Sequence, residues 1–330
     1  MRTERLTSGR WAVHGADTTW LRCLVKEIHD ADPQSEAAVL QEHPLDSFVV
    51  LAAEPGSLRS AAAALLAEIG RLTVTDATAR AAAVRVHGSP PWDYANLARR
   101  ALMTRVPVLA CTSLLVTRND SWAREELLAH RFGQAVLTAS AALAKDEQKT
   151  WTGSVDVEGR DARCSDLRLP PGVAVADDTD FVLVELRPGQ RFCAELAFAF
   201  GTGRRHAKFD AVASPDYVPE LRVDGCDEDA ATLRAAGFVV DARSGRVAHP
   251  EFRVRKARLQ ELAPSLRCLA PSYVDVRFES LGQWPASECL ELAKAAVAAE
   301  IDAFLESMAA CEPDVASQPS SSGRLQSSFK

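Results

Sequence analysis

The sequence lacks a long apolar run, a secretory leader pattern and an excess of positive charge. No window reaches the ~18 apolar residues that a membrane-spanning helix requires, and the opening MRTERLTSGRWAVH has no apolar signal core. The formal net charge is −7, whereas a protein that binds duplex DNA usually presents a basic face, because its affinity comes largely from neutralising phosphates. We therefore expect an intracellular chain that enters no membrane and for which DNA is not a direct partner.

Paired cysteines and the common catalytic signatures are also missing. No Cys-x-x-Cys pair predicts a zinc site, and no regular cysteine spacing predicts a disulfide framework. The sequence contains neither Gly-x-Ser-x-Gly nor His-Glu-x-x-His, and its seven histidines have no ligand spacing. We therefore expect no metal, no cofactor and no catalytic residue, and reduced, mostly buried thiols. The eight cysteines are Cys23, Cys111, Cys164, Cys193, Cys226, Cys268, Cys289 and Cys311.

A repeated order of strand and helix is present instead. With 330 residues and 47% hydrophobic content, the chain is long enough for two packed domains. A strand at 10–14 precedes an amphipathic helix, and a strand at Phe48–Ala52 precedes a helix at Leu58–Leu72. The order starts again with a strand at Ala81–His87 and a helix that Asp93 can cap and that runs to Met103. This repetition indicates two related modules.

The second half of the chain has a different pattern. Strand signals separated by turn residues dominate 140–270, which predicts a β-rich inserted domain. Strand and helix then return at Tyr273–Phe278 and Pro285–Ala310, and the serine-rich segment 312–330 has the composition of a disordered tail. The strand signals inside the insert lie at Ser154–Val157, Phe181–Leu186 and Phe192–Phe200.

Five short motifs occur in one order over some 200 residues. They are Asn96 with Arg99-Arg100 and Val106-Pro107, then Ala129-His130-Arg131-Phe132-Gly133, Pro188-Gly189-Gln190, Gly201-Thr202-Gly203-Arg204-Arg205-His206-Ala207-Lys208-Phe209 and Phe278-Glu279-Ser280-x-Gly282. In this order they resemble the larger alpha-like subunit of multisubunit RNA polymerases, a family that includes the bacterial alpha N-terminal domain, the archaeal D-type protein and the third-largest subunit of eukaryotic RNA polymerase II. The resemblance implies a subunit that catalyses nothing and forms the platform on which the two large catalytic subunits assemble.

The first module resembles the smaller partner of that family, the archaeal L-type protein. The matching residues are Trp11, Asp17 to Leu21, His43-Pro44-Leu45 and Phe48-Val49-Val50. The two resemblances together imply that both partners are fused in one chain, as in polymerases of large DNA viruses. They further imply a viral source, with the protein in the viral factory or virion or in the host nucleus or cytoplasm. Cellular members often hold zinc or an iron–sulfur cluster in the insert, but the isolated cysteines here do not carry that metal over.

The resemblance implies an α+β fold of two alpha-like dimerisation modules with a β-rich insert. We expect a smaller module at 1–75, a larger discontinuous module at 81–140 and 270–311, the insert at 141–269 and the disordered tail at 312–330. Each module leaves an apolar helix face that needs a partner, and two modules packed helix on helix bury a shared core. The expected core residues are Trp20, Leu21, Leu24, Leu65, Ile69, Tyr94, Leu97, Leu102, Val297, Ile301 and Phe304.

The resemblance also favours arginines as contacts for the large subunits and for a small accessory subunit. Arg99 and Arg100 are adjacent on a helix, so both cannot point into the core, and guanidinium groups suit bidentate contacts with a partner. On an arbitrary helix, solvated surface arginines would be the preferred interpretation. For Arg131 we expect a partner contact first, and for His130 a structural hydrogen bond that closes the short helix.

The Gly201-Thr202-Gly203 turn has a basic rim of Arg204, Arg205 and Lys208. It is not a phosphate loop, because the third glycine of Gly-x-Gly-x-x-Gly is missing and no Lys-Ser/Thr pair follows. A hairpin turn with solvated charges is one interpretation, and docking to an acidic surface of another subunit is the favoured one.

Three alternatives stay open at this point. The chain could be a single larger alpha-like subunit with an unrelated N-terminal extension that still needs a separate small partner. It could be a protein-binding module outside any polymerase that reuses the same fold, or a small-molecule enzyme whose site is built from distant residues.

Overall fold

The computed structural model shows an α+β protein in which helices pack on antiparallel sheets. Within the residues it describes, no helix is long and apolar enough to cross a membrane. The predicted tail at 312–330 and Cys226 lie outside the described residues. The described residues are 2–7, 9–15, 18–43, 48–75, 77–78, 80–88, 91–139, 143, 149–177, 179–224, 227–241, 245–248, 256–263 and 265–311.

Seven helices are described. They are α1 (Thr18–Ala31), α2 (Pro55–Arg71), α3 (Trp92–Thr104), α4 (Glu125–Gly133), α5 (Asp227–Ala235), α6 (Lys256–Leu262) and α7 (Ala286–Cys311).

Nineteen strands are described between and beside them. They are β1 (Arg2–Thr7), β2 (Arg10–His14), β3 (Ala38–His43), β4 (Phe48–Ala52), β5 (Val74–Thr75), β6 (Ala81–His87), β7 (Val108–Asn119), β8 (Leu137–Ala139), β9 (Thr150–Glu158), β10 (Ala162–Arg163), β11 (Val173–Val175), β12 (Val182–Val184), β13 (Arg191–Gly201), β14 (Val212–Pro219), β15 (Arg222–Asp224), β16 (Val239–Val240), β17 (Val247–Ala248), β18 (Arg267–Leu269) and β19 (Tyr273–Ser280).

The chain divides into two compact units. Met1–Ala64 and Ala299–Lys330 form the first unit, and Leu65–Ala298 form the second, so the division falls within α2 and α7. Apolar residues on the described elements fill the interior of each unit, as the hydrophobic effect requires.

The first unit contains an antiparallel sheet in the order β1-β2-β4-β3. The α1 residue Trp20 is fully buried, and its ring meets the Phe304 ring edge-on at a centroid distance of 5.4 Å. The Thr3 amide donates a hydrogen bond to Ser307 Oγ at 2.8 Å, which ties β1 to the end of α7. The last turns of α7 therefore belong to the core of the N-terminal module.

The second unit contains a larger antiparallel sheet in the order β14-β19-β6-β5, on which α3 packs. A separate antiparallel sheet has the order β7-β13-β9. Strand β7 lies before residue 140 but pairs with β13 of the predicted insert. Strand β14 lies after residue 140 but pairs with β19 of the predicted larger module. Each of these two sheets therefore contains strands from both predicted segments. Lys294 Nζ on α7 donates hydrogen bonds to the carbonyl oxygens of Gly70 and Leu72, at 3.3 and 3.2 Å.

A small subdomain at 221–269 has its own apolar core. Two antiparallel strand pairs, β15 with β18 and β16 with β17, lie in it together with α5 and α6. The prediction that strands dominate 140–270 missed these helices, because elements of nine and seven residues are too short to show helical periodicity. The core residues are Val223, Leu233, Phe238, Val247, Leu259, Ala263 and Leu266.

The predicted elements outside the insert are largely confirmed. The strand at Ala81–His87 has the predicted bounds, and the last helix runs over Ala286–Cys311 rather than Pro285–Ala310. Asp93 is not the cap of α3: Pro91 occupies the N-cap position and makes no side-chain cap hydrogen bond. All eleven residues that we expected in the shared core are at most 6% exposed. Their role in pairing two modules stays a prediction.

Candidate protein-interaction surface

The two adjacent arginines of α3 have different surroundings. Arg99 Nε donates a hydrogen bond to the Pro215 carbonyl oxygen at 3.0 Å, and its guanidinium lies 5.6 Å from the centre of the Tyr217 ring. The Tyr217 hydroxyl in turn donates to Asn96 Oδ1 at 3.0 Å. Arg100 is exposed. Arg99 therefore fastens α3 to β14, whereas Arg100 faces solvent, where a partner could reach it.

The Gly-x-Gly segment forms a tight turn against the C-terminal end of α3. The Arg205 amide donates to the Thr202 carbonyl oxygen at 2.8 Å, and the Arg204 amide donates to the Thr104 carbonyl oxygen at 3.3 Å. A Cβ atom on Gly203 would lie 2.1 Å from the Met103 carbonyl oxygen. A Cβ atom on Gly201 would lie 2.7 Å from the Phe209 ring. The glycines are needed for this close approach, which gives the motif a structural reason other than phosphate binding.

The basic residues of this turn also differ in their surroundings, as Arg99 and Arg100 of α3 do. Arg204 and Arg205 are exposed. Lys208 is half-buried, and its Nζ donates to the Cys111 carbonyl oxygen at 3.0 Å while lying 5.2 Å from the Phe209 ring centre. Lys208 thus holds the turn on β7, and Arg204 and Arg205 are the side chains that the turn presents.

The two basic residues near the end of α4 have different surroundings. Arg131 Nη2 donates to the Val182 carbonyl oxygen at 2.7 Å and so makes a structural contact. His130 is exposed, and its side chain makes no hydrogen bond within the described part of the chain. The structural hydrogen bond that we expected of the His130 side chain is therefore not seen among the described residues. A partner contact by Arg131 stays a prediction.

Gln190 connects two loops at one end of the β7-β13-β9 sheet. Its Nε2 donates to the Asp120 carbonyl oxygen at 2.6 Å, and its Oε1 accepts from the Arg187 amide at 2.8 Å. Gly189 occupies the left-handed region with φ at +82°, which completes the turn that positions Gln190. The Pro-Gly-Gln motif therefore fixes the loop that follows β7, a function that the sequence pattern did not reveal.

Burial and charge shift three titratable groups in this region. Burial raises the pKa of the Cys111 thiol to about 11, although the nearby Lys208 ammonium opposes the shift. Burial also raises the pKa of the Asp210 carboxyl above its usual value. The hydrogen bond from Arg118 lowers the pKa of the Asp120 carboxyl, which remains a carboxylate.

The described residues contain no cluster of three or more His, Cys, Asp or Glu side chains that could hold a metal ion. Of the seven described cysteines, Cys23, Cys111, Cys164 and Cys289 are buried, and all seven are free thiols. The donor set of the zinc or iron–sulfur sites of cellular members is therefore not assembled among the described residues. The small subdomain has an apolar core of buried residues.

The predicted interaction residues fall into two groups. The amide of Arg204 reaches the Thr104 carbonyl oxygen, so the turn at 203–205 lies beside the end of α3 and Arg100. Arg131 contacts β12. Sequence reasoning missed the exposed Trp122, because a single tryptophan in a loop carries no periodic signal.

Comparisons with known proteins agree with the resemblance seen in the motifs. No protein-family profile matches the chain. The chain is 32% identical over 153 residues to DNA-directed RNA polymerase subunit Rpo3 of Pyrobaculum calidifontis, which covers 42% of this chain and 59% of the relative. It is 31% identical over 160 residues to Rpo3 of Natronomonas pharaonis, which covers 48% of this chain and 64% of the relative.

A eukaryotic protein is also similar. The chain is 26% identical over 162 residues to the DNA-directed RNA polymerases I and III subunit RPAC1 of Bos taurus, which covers 37% of this chain and 46% of the relative. The chain spans about 60% of the length of the first archaeal relatives that it matches. Its homologues are therefore alpha-like subunits of DNA-directed RNA polymerases, at about 30% identity over part of the chain.

Proposed function

We propose that this chain is a non-catalytic subunit of a multisubunit DNA-directed RNA polymerase and nucleates assembly of the two large catalytic subunits. The observation that carries the proposal is its similarity to archaeal Rpo3 proteins at 31–32% identity over 153 and 160 residues. The RNA-forming chemistry then belongs to the partners, and this chain contributes an interface. DNA meets it only through the assembled complex.

We also propose that residues 1–75 are the smaller alpha-like partner, fused to the larger one. The first unit has a four-stranded antiparallel sheet with helices, and the second unit has another four-stranded antiparallel sheet with α3. Trp20 and Phe304 bury each other within the first unit, so the N-terminal module covers the last turns of α7. In this proposal the first module does for α7 what a separate small partner would do.

The partner surface in this proposal consists of exposed guanidinium groups. Arg100, Arg204 and Arg205 face solvent beside the end of α3, and they suit carboxylates or carbonyl oxygens on a large subunit. Arg99, Arg131 and Lys208 also make contacts inside the chain, and their supporting role is to fix α3, α4 and the glycine turn.

Each of the three alternatives can be distinguished from this proposal by a specific measurement. A single larger alpha-like subunit with an unrelated extension would still recruit a small alpha-like partner, which a stoichiometry measurement detects. A protein-binding module outside the polymerase would not bring down the large subunits, and a small-molecule enzyme would be active alone. The viral source, and a location in the viral factory or virion or in the host nucleus or cytoplasm, are further proposals, supported by the fusion resemblance.

The test is co-purification of the full chain with the two large polymerase subunits of the same organism. We expect the wild-type chain to retain both, and Arg100→Glu combined with Arg204→Glu to reduce their recovery at least about tenfold, because charge reversal at an interface costs more than about 1.4 kcal/mol. Arg267→Glu is the matched control, because Arg267 is an exposed arginine on the small subdomain. Failure of the wild-type chain to retain either subunit would refute the proposed function.

A further inference from the structure

The sheet in the order β14-β19-β6-β5 has two faces, and helix α3 packs on one of them. Tyr217 on β14 lies directly opposite Val276 on β19, and its hydroxyl donates to Asn96 Oδ1 of α3 at 3.0 Å. Side chains alternate between the two faces along a strand. Asp216 and Arg277, which also lie directly opposite each other, are therefore on the face away from α3.

A hollow of about 590 Å³ lies on this second face. The side chains of Ala82 and Phe278 point towards α3 and are only 5% and 3% exposed, so these two residues line the hollow with their main chain. We call this surface the alanine hollow, and its other lining residues are Ala81, Ala83, Ala213, Asp216, Arg277 and Glu279.

An antiparallel sheet can leave one face to solvent, so an uncovered face alone decides nothing. Alanine, however, is depleted in strands, which favour side chains that cover a pleated surface. Here Ala83 lies opposite Arg277, and Ala81 and Ala213 lie on either side of Glu279. The main chain is therefore left open between the charged side chains, and an apolar side chain of a partner would fill that space.

The two charges that β19 places over the hollow are not paired within the described part of the chain. Arg277 and Glu279 are exposed, and neither side chain makes a hydrogen bond or an ion pair with a described residue. At the other end of the same face, Arg85 donates two hydrogen bonds to Asp275, at 2.8 and 2.9 Å, and lies 4.2 Å from the centre of the Tyr273 ring. The face thus pairs one arginine inside the chain and leaves the other to a partner.

The mixed signs of these charges indicate which kind of partner fits. Two carboxylates, Asp216 and Glu279, border the hollow beside a single guanidinium, so the local charge is negative and disfavours a nucleic acid or an anionic lipid surface. A second copy of this chain fits poorly, because two facing hollows lined by alanine leave an empty space between them. A different polypeptide can present both signs and a bulky side chain.

We propose that the alanine hollow docks another subunit of the polymerase, through a segment that carries an apolar side chain between a carboxylate and a cation. The apolar side chain enters the hollow, the carboxylate pairs with Arg277 and the cation pairs with Glu279. These two residues are two positions apart on β19, so their Cα atoms are about 6.5 Å apart, which sets the approximate spacing of the partner's charges. The hollow is a different surface from that of Arg100, which lies on α3. The inference rests on the proposed function, because it names a polymerase subunit as the occupant.

The experiment uses the full chain, co-expressed with the two large subunits and the accessory subunits of the same organism. Arg277→Glu combined with Glu279→Arg exchanges two charges that are unpaired among the described residues, so the thermal unfolding midpoint should not change. We expect this exchange to lower recovery of at least one other subunit at least about tenfold, because each partner charge then meets its own sign. Arg258→Glu with Glu261→Arg is the matched control: it exchanges an exposed ion pair on α6, 3.0 Å apart, and should leave recovery unchanged.

Ala81→Gln tests the hollow without changing a charge. Ala81 is partly exposed and alanine has no advantage in a strand, so the variant should be as stable as the wild-type chain. Its longer side chain occupies the hollow, and recovery of the same subunit should fall at least about tenfold. Benzoylphenylalanine in place of Ala81 should form a photo-cross-link to that subunit, which mass spectrometry identifies.

The outcomes separate this inference from the proposed function. If the wild-type chain retains the large subunits and both hollow variants retain every subunit equally, the docking site is refuted and the proposed function stands. If the wild-type chain retains neither large subunit, the proposed function fails and this inference fails with it. A photo-cross-link to a second copy of this chain, or an equal loss of recovery in the α6 control, would overturn the assignment of the hollow to another subunit.

Discussion

Individual arginines divide into residues that build the chain and residues that it presents. The guanidinium of Arg99 contacts the Pro215 carbonyl oxygen and the Tyr217 ring, whereas Arg100, one residue later, is exposed. The sequence pattern predicted a partner contact for both arginines. Adjacent helical residues point about 100° apart, but the sequence does not say which of the two faces the sheet. The packing of α3 on β14 decides which of the two arginines makes the contact.

The first prediction separates the two arginines by stability. Arg99→Ala should lower the free energy of unfolding by about 1–2 kcal/mol, because it removes a charged hydrogen bond and a cation–π contact. Arg100→Ala should change it by no more than about 0.5 kcal/mol, as expected for an exposed side chain. Urea denaturation followed by circular dichroism measures both. Equal losses in the two variants would contradict the division.

The second prediction concerns the pH dependence of stability at alkaline pH. Burial raises the pKa of the Cys111 and Cys289 thiols from 9.0 to about 11. The folded chain therefore binds these protons more tightly than the unfolded chain, so their contribution to stability is complete below about pH 9 and is lost as the pH rises towards about 11. The urea midpoint should fall over that range.

The control for this prediction is the double variant Cys111→Ala with Cys289→Ala. Its urea midpoint should fall less steeply between about pH 9 and 11 than that of the wild-type chain, because two of the linked protons are gone. Parallel pH profiles for the two proteins would show that the thiols do not carry the effect.

At the scale of elements, local patterns predicted the helices and strands that bury one face. The alternating and 3.6-residue patterns of β6, α3 and α7 were sufficient because each element is long and strongly amphipathic. The short β1 strand reads RTERLT, with charged residues on an edge of its sheet, so it gave no hydrophobic signal. The role of Gln190 depends on two loops that meet only in the folded chain, and no sequence spacing predicts that contact.

The third prediction tests the glycine turn against a glycine in a helix. Gly203→Ala would place Cβ 2.1 Å from the Met103 carbonyl oxygen and 2.4 Å from Asp210 Oδ1. Because a backbone atom must move, the variant should lose about 1–3 kcal/mol of stability. Gly70→Ala in α2 meets nothing within 4 Å, so it should gain about 0.5–1 kcal/mol from helix propensity. Thermal unfolding of both variants gives opposite shifts, and a stabilised Gly203→Ala would contradict the close approach.

At the scale of the whole molecule, the first unit buries the apolar end of α7 against residues of its own N-terminal segment. Phe304 on α7 is fully buried, and the ring that meets it belongs to Trp20 of the N-terminal module. The Cys311 thiol donates to the Thr3 carbonyl oxygen at 3.2 Å, so contacts with β1 continue to the last turn of the helix. Within this unit the chain supplies its own covering for the apolar end of α7.

The fourth prediction follows from that covering. If the first module replaces the small alpha-like partner, the purified polymerase contains one copy of this chain and no separate small alpha-like polypeptide. Native mass spectrometry of the complex, purified through a tag on a large subunit, measures this stoichiometry directly. A second small alpha-like polypeptide would favour the unrelated N-terminal extension, and two copies of this chain would favour a homodimeric platform.

Trp20→Ala should remove the ring packed on Phe304 and lower stability by about 3–5 kcal/mol. A separate small partner supplied in trans should not restore that stability, because the remaining backbone of the first module still occupies the end of α7.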